Sequence, residues 1–489
     1  MKNHKGSIRV MMVWSLFLAA LLFFGTVPAQ AEFTTDDEKR IGREFYEKLE
    51  SNNVLLQDKR MNDYISQVGS RVLSSVKTPL FDYRFFIVKS SAINAFATPG
   101  GYIYVNRGLI ALADTEAELA AVLGHEIGHA NARHIASMVN KATKVNLATL
   151  AAVIAGAFLG GGGDLSAALM SFSLATSETL SLKYSRDNEE EADRLGLSYL
   201  VKAGYRGDAV LSLLRLMRKY EFYSKTVPSY FMTHPGTDER IRYVDGLLQT
   251  TYANSGGKDE VVGHFRRIKM VMMTAGPNVE SKIKYFEDEV QKNPSDVDSL
   301  YGLGVVQARK GIYRESIETL QKALLMAPGD KEILRDIGVD YYKLGQYPQA
   351  IDYLSRAQKI DDKDIKTLAY LGNSYEAMGF YEKALEYYRA LERTDLDDEE
   401  IYYSMGMAYG KLKAMGDSHY YFGIYFKKQN KNDTALFHFK EALKYFTIND
   451  LRYQNIEREI RILSNESASK KKRNDTESTK SDLKRRSRF

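Results

Sequence analysis

His125, Glu126 and His129 form His-Glu-x-x-His, and three of the chain's eight histidines fall between residues 125 and 134. On a helix, residues four apart project from one face, one turn apart. Two imidazole nitrogens placed in this way can hold one Zn2+. Glu126 sits beside that face, where its carboxylate reaches an attacking water rather than the metal, which is the position of a general base. Thr115-Glu116-Ala117-Glu118 reads as a capping box that opens this helix, and Leu119, Val122, Leu123 and Ile127 give it an apolar face. His134 falls about 140° around the helix from His129 and is a poor ligand candidate.

A catalytic zinc site needs a third protein ligand and an open position. The acidic stretch from Ser185 to Asp193 leads into a second helix. Its Glu189 and Asp193 share a face, so one can bind the metal while the other orients a histidine. Periodicity does not choose Glu189 over its neighbours, and Asp187, Glu190 and Glu191 also suit a helix N-terminus. His234 precedes Pro235 and so sits on a turn. Its ring can face the metal as a fourth ligand, stabilise an oxyanion, or serve the turn alone.

These residues must be carried by a framework. Residues 34 to 76 read as helical, with Asp36, Asp37 and Glu38 in a first turn and Ile41, Phe45 and Leu49 four apart. Alternating Phe81, Tyr83, Phe85 and Ile87 predict a strand with one buried face. Ile93 to Ala97 and Tyr102 to Val105 flank Pro99-Gly100-Gly101, so a small antiparallel sheet with an edge is expected. The apolar runs Val145 to Leu159 and Leu165 to Leu174 are each shorter than a bilayer crossing and read as a buried hairpin or a cover over the site.

From residue 297 a period of 34 sets in. Leu300, Leu303, Gly304, Gly311, Tyr313 and Leu320 recur as Leu334, Ile337, Gly338, Gly345, Tyr347 and Leu354, and again as Leu368, Leu371, Gly372, Gly379, Tyr381 and Tyr388. This is the tetratricopeptide pattern, in which helix pairs bury a core only by stacking. Phe286 and Pro294 mark an earlier half unit. Beyond residue 399 two frames overlap, one through Gly406 and Phe422 and the other through Gly423 and Phe439. The helix from about Asp417 to Lys428 is therefore expected to close one unit and open the next.

Composition bounds the rest. No cysteine is present among 489 residues, which excludes a disulfide framework and a thiolate metal site. Lys2, Lys5 and Arg9, the apolar Val10 to Phe24 and Ala29-Gln30-Ala31 read as a signal peptide over 1–31, cleaved after Ala31. An uncleaved anchor is the alternative, and both place the folded part outside the cytoplasm. The net charge of +5 is concentrated at the ends: +5 after Ser464 and +3 in the leader, leaving −3 between. Nucleic acid is therefore not the partner that charge points to. The last stretch, 464–489, has almost nothing apolar and reads as a disordered basic tail, with peripheral membrane contact as its other use.

Together, His125 to His129, Glu189-x-x-x-Asp193 within Ser185 to Arg194, and Thr233-His234-Pro235 with Glu239-Arg240-Ile241 resemble the HtpX-like and CAAX-prenyl-protease-like zinc metallopeptidases. Asn94-Ala95-Phe96-Ala97 followed by Gly100-Gly101 resembles that family's sheet edge. With a leader in front and repeats behind, the order is similar to that of BepA-type periplasmic proteases. The resemblance implies that Glu189 is the third ligand of one Zn2+ and that Asp193 supports the site from behind. It also implies that the partner of the repeats is the outer-membrane protein assembly machinery.

The expected fold is therefore α+β. A mostly helical zincin-like protease domain over 32–255 carries a small antiparallel sheet and is followed by an all-α repeat solenoid over 262–449. The expected function is a periplasmic endopeptidase that degrades misassembled outer-membrane proteins, with substrate lying along Asn94, Ala95, Phe96 and Ala97. The competing reading is an assembly scaffold or chaperone in which proteolysis is secondary.

Overall fold

The computed structural model describes residues 33–141, 154, 183–223, 229–394 and 399–465. The expected signal peptide, nearly all of the two apolar runs and all but the first residues of the tail lie outside these. Two compact units divide between Met272 and Met273.

In the first unit, α1 (Thr35–Ser51) opens on a complete Thr34–Asp37 capping box and buries Ile41, Phe45 and Leu49, while α2 (Lys59–Leu73) is capped by Asp58. Next come β1 (Arg84–Val88), β2 (Ala95–Thr98), β3 (Tyr102–Asn106) and the short α3 (Arg107–Leu112). Then follow α4 (Glu116–Asn131), α5 (His134–Lys141), α6 (Arg186–Lys202), α7 (Ala209–Tyr223), α8 (Ser229–Thr233), α9 (Thr237–Gln249) and α10 (Phe265–Thr274).

The sheet has the order β1-β3-β2 and is mixed, which corrects the antiparallel expectation. Only β2 and β3 pair antiparallel, with Phe96 opposite Tyr104; β1 runs parallel to β3, with Phe85 opposite Ile103. Two reversals explain this. The chain turns back after β1, and again at Gly100 and Gly101, whose φ of 85° and 86° suit glycine. This second turn lays β3 between the other two strands.

Both faces of β3 are covered, and all five of its residues are buried. Ile103 and Val105 join the core with α2 and α4 residues, whereas Tyr102 and Tyr104 pack with Phe45 and Phe96 on the α1 side. β1 does not keep the single buried face expected of it: Phe85 and Ile87 enter the core with α2 and α4, Val88 on the opposite face is fully buried on the α1 side with Phe86 packed beside it, and Phe81 and Tyr83 precede the strand.

Residues 262–272, expected to open the repeats, belong to this first unit. Glu116 holds the approach to them: its carboxylate accepts from Val261, Val262 and Gly263 N–H and from the hydroxyls of Tyr64 and Tyr205. Phe265, Ile268 and Met272 then bury in the same core.

In the second unit the helices are α11 (Val279–Lys292), α12 (Val297–Lys310), α13 (Tyr313–Met326), α14 (Lys331–Lys343), α15 (Tyr347–Ile360), α16 (Ile365–Ala377), α17 (Tyr381–Glu392), α18 (Glu399–Lys411), α19 (Met415–Lys428) and α20 (Asn432–Leu443), with a last helix over 451–465. The glycine inside the first helix of each repeat admits the large residue sixteen positions on: a Cβ at Gly304 would meet Leu320, and one at Gly338 would meet Leu354. α19 serves two units at once, giving Phe422 to Gly406 of α18 and its own Gly423 to Phe439 of α20. Phe286 of α11, fully buried, supplies the earlier half unit.

Among the described residues no helix is long and apolar enough to cross a membrane.

Candidate metal centre

α4 is buried from Glu116 to His129, not merely along one face. Thr115 caps it by accepting from Glu118 N–H, but the Glu118 carboxylate reaches back to Asp114 N–H instead of completing the box. α6 begins on a Ser185–Asn188 capping box and packs closely against α4. The approach is nearly backbone to backbone. A Cβ at Gly196 would stand 2.8 Å from the His125 backbone nitrogen, and one at Gly128 would stand 2.9 Å from the Ala192 carbonyl oxygen. Small residues at the crossing allow the acids of α6 to reach the histidines of α4.

The ligand-type atoms of His125, His129, Glu189 and His234 all lie within 4.8 Å of one another, and all four residues are buried. His125 Nε2 and His129 Nε2 are 2.9 Å apart. Glu189 places Oε2 3.5 Å from the first and Oε1 3.4 Å from the second. His234 Nδ1 lies 2.9 Å from Glu189 Oε1 and 3.4 Å from His125 Nε2. Behind this group, Asp193 Oδ1 accepts from His125 Nδ1–H at 2.9 Å. Arg240 grips both Asp193 oxygens, at 2.8 and 2.7 Å, and reaches Glu189 Oε2 at 2.8 Å.

Glu126 is fully buried beside the group, with Oε2 accepting from the Ala97 N–H at 2.9 Å. Its Oε1 has no hydrogen-bond partner, nor does His234 Nε2, and the two are 3.7 Å apart. Tyr184 stacks on His129 with ring centroids 3.9 Å apart, and Tyr230 stacks on His234 at 4.3 Å.

The electrostatics follow from this crowding. Burial pushes the Glu126 carboxyl up, with His234 and His125 opposing it. Burial would also raise Glu189, but His234 and Arg240 overcome it and hold Glu189 well below the usual range. Asp193 is likewise raised by burial and brought down to about 2 by Arg240 and His125. The His129 ring is pushed well below its ordinary value by burial and by the charge of His125. For His125, burial and Arg240 act downward, and its bonds to Asp193 and Glu189 prevail, lifting it to about 9.

This donor set fits a divalent ion. Two imidazole edges and a carboxylate that stays ionised converge in a buried place, with unpartnered polar atoms of Glu126 and His234 alongside.

Residues 59–248 match the family described as Peptidase family M48, and residues 283–331 and 311–365 match the Tetratricopeptide repeat. Residues 59–248 are an M48 domain. The beta-barrel assembly-enhancing protease of Escherichia coli (strain K12) is 28% identical over 217 residues, 44% of this chain and 44% of that one. A Vibrio cholerae protein provisionally given the same name is 36% identical over 222 residues, 44% of this chain and 45% of its own length. The chain thus spans less than half the length of these curated relatives. Among solved structures, YrrB, titled "a TPR protein with an unusual peptide-binding site", covers 40% of the chain at 18% identity with a TM-score of 0.32.

Within the M48 domain, the structure brings together His125, Glu126, His129, Glu189, Asp193 and His234. Asn94, Ala95, Phe96 and Ala97 lie at or beside β2, an edge strand of the sheet, but all four are buried rather than open, because α4 packs against this edge. A cleft lined by Ala97, Thr98, Pro99, His129 and Tyr184 runs beside it. His134 stands outside the ligand group but against His129. Sequence reasoning gave Arg240 no role and passed over Tyr184 and Tyr230. Arg240 belongs to the Glu239-Arg240-Ile241 stretch, yet nothing local says that its guanidinium reaches α6.

Proposed function

We propose that the chain is a zinc-dependent endopeptidase acting outside the cytoplasm on misassembled proteins, with outer-membrane β-barrel proteins as the substrate class. The names of the relatives support the substrate class, and the leader pattern supports the compartment. The observation that carries the reading is the convergence of His125, His129 and Glu189 around one buried point, with the Glu126 carboxylate beside it.

A Zn2+ held by His125, His129 and Glu189 would supply Lewis acidity, lowering the pKa of water and polarising a peptide carbonyl. Glu126 takes the water's proton at its unpartnered Oε1 and passes it to the leaving amine. Its raised pKa suits a group that must both accept and release a proton. Asp193 fixes the His125 ring, and Arg240 fixes Asp193 and Glu189 in turn. Substrate would add as a strand along β2, where backbone hydrogen bonds serve any sequence, and because this edge is buried against α4 it must first take the Ala97 N–H from Glu126. His234, in contact with the ligand group, would be able to hold the metal as a fourth ligand and so keep the enzyme latent until displaced.

The repeats hold a protein partner or substrate, for which the outer-membrane protein assembly machinery is the candidate, and the basic tail is available for contact with a membrane surface. The scaffold reading separates from this one through Glu126→Gln, which preserves shape and metal ligands. Metal analysis with casein cleavage should show one zinc per chain in both proteins and cleavage by wild type alone. Equal cleavage by both would refute the proposal, and an untouched assembly phenotype in the variant would make proteolysis secondary.

A further inference from the structure

The two histidines of α4 are steadied by different kinds of neighbour. His125 Nδ1 meets a carboxylate, Asp193, directly. His129 Nδ1 meets another ring, with His134 Nδ1 2.8 Å away, and His134 Nε2 lies 3.2 Å from Glu191 Oε2. Two ring nitrogens at that distance cannot both donate or both accept, so one carries the proton.

The neighbours decide which. His129 Nε2 faces His125 Nε2 and Glu189, so its lone pair belongs to the ligand group and the neutral ring bears its proton on Nδ1. His134 Nδ1 then accepts, the proton of His134 sits on Nε2, and that N–H donates to Glu191. This one assignment satisfies every link, and the carboxylate at the outer end sets its direction.

The local fold is shaped to make the contact. α4 stops at Asn131, Arg133 takes a left-handed φ of 55°, and α5 begins at His134. A non-glycine residue in that conformation is uncommon. It is held here by Arg133 Nε donating to Glu38 at 2.7 Å and Nη2 donating to the Phe33 carbonyl at 2.9 Å. The break folds His134, 3% exposed, back onto His129. Glu191 lies about 200° around α6 from Glu189, with its side chain 59% exposed, so it reaches the centre only through His134. Three acids of one helix thus divide the work: Glu189 stands in the group, Asp193 behind His125, and Glu191 behind His129 by way of His134.

We propose that His134 and Glu191 are positioning residues for metal binding: they hold His129 in the tautomer that presents Nε2 to the ion. This rests on His125, His129 and Glu189 being zinc ligands. Groups that orient a metal-binding histidine are typically worth roughly 10- to 100-fold in metal affinity.

The test is zinc affinity of the full chain, by competition with a chromophoric chelator, alongside thermal unfolding of the metal-free protein. Asn offers an amide oxygen where His134 offers Nδ1, so His134→Asn should bind zinc within a few-fold of wild type. His134→Leu should weaken binding roughly 10- to 100-fold, with metal-free unfolding close to that of His134→Asn. Wild-type affinity in His134→Leu, or equal losses in both variants, overturns the relay. If His134→Leu does not fold, Glu191→Ala against Glu191→Gln decides: Gln keeps an acceptor and the affinity, Ala loses affinity, and equal affinities overturn the proposal. A wild-type protein that binds no zinc, or His125→Ala binding as tightly as wild type, would instead overturn the reading of the centre itself.

Discussion

The Ala97 backbone N–H donates to Glu126 Oε2 at 2.9 Å, tying the edge strand to the residue proposed to move the proton. That N–H lies outside the β2–β3 ladder, so a strand added at this edge competes with Glu126 for it. Proline at 97 removes the donor, and edge strands tolerate proline because no ladder bond is lost. Ala97→Pro should therefore keep its zinc and lose at least about tenfold in casein cleavage, the worth of one hydrogen bond to a charged group. Full activity in this variant would rule out β2 as the docking edge.

Gly196 sets the distance between the helix that carries the histidines and the helix that carries Glu189. Its added Cβ would meet the backbone of Gly124 and His125, which cannot swing aside as a side chain would. Gly196→Ala should cost about 1–3 kcal/mol of stability, as overpacking does. It should also weaken zinc binding, because Glu189 moves away from His125 and His129 together. Thermal unfolding and zinc titration of the same variant check both effects, and an unchanged zinc affinity would show that Glu189 is not held by this crossing.

What could be read from the sequence were the features contained within one element. His125, Glu126 and His129 share a single helix, and the 34-residue period needs only glycine and large apolar residues at fixed offsets. Features that depend on how elements meet were not legible. The choice of Glu189 among five acids follows from the α4–α6 crossing at Gly196. Rotation about an ideal helix placed His134 away from His129, and the left-handed Arg133 undid that argument. Nor does any local pattern encode that β3 would insert between β1 and β2 and so run parallel to one of them. Arg240 joins the site across 47 residues of chain through its bonds to Asp193.

His234 is wholly buried, stacked on Tyr230, and in contact with Glu189, so in this structure it belongs to the ligand group itself. If it blocks the open position, its removal frees that position without disturbing His125, His129 or Glu189. His234→Ala should then retain zinc and raise basal casein cleavage several-fold. An unchanged rate would remove the latch, and an abolished rate with zinc retained would assign the ring to oxyanion stabilisation instead.

In the repeat unit, Asp340 is 2% exposed and accepts from the Ser316 hydroxyl at 2.6 Å. Burial pushes its carboxyl from 3.8 up to about 7; the Ser316 bond opposes this and the charge of Asp336 adds to it. Between those two values the folded chain holds a proton that the unfolded chain has released, so stability falls as pH rises from about 4 to 7 and levels off above. The ceiling on this loss is about 4 kcal/mol. Asn keeps an oxygen for Ser316 and never ionises. Asp340→Asn should therefore unfold at a higher temperature than wild type at pH 8 and at nearly the same temperature at pH 4, as followed by calorimetry of the full chain. A variant whose melting temperature tracks wild type across that range would show that Asp340 is already ionised in the folded repeats.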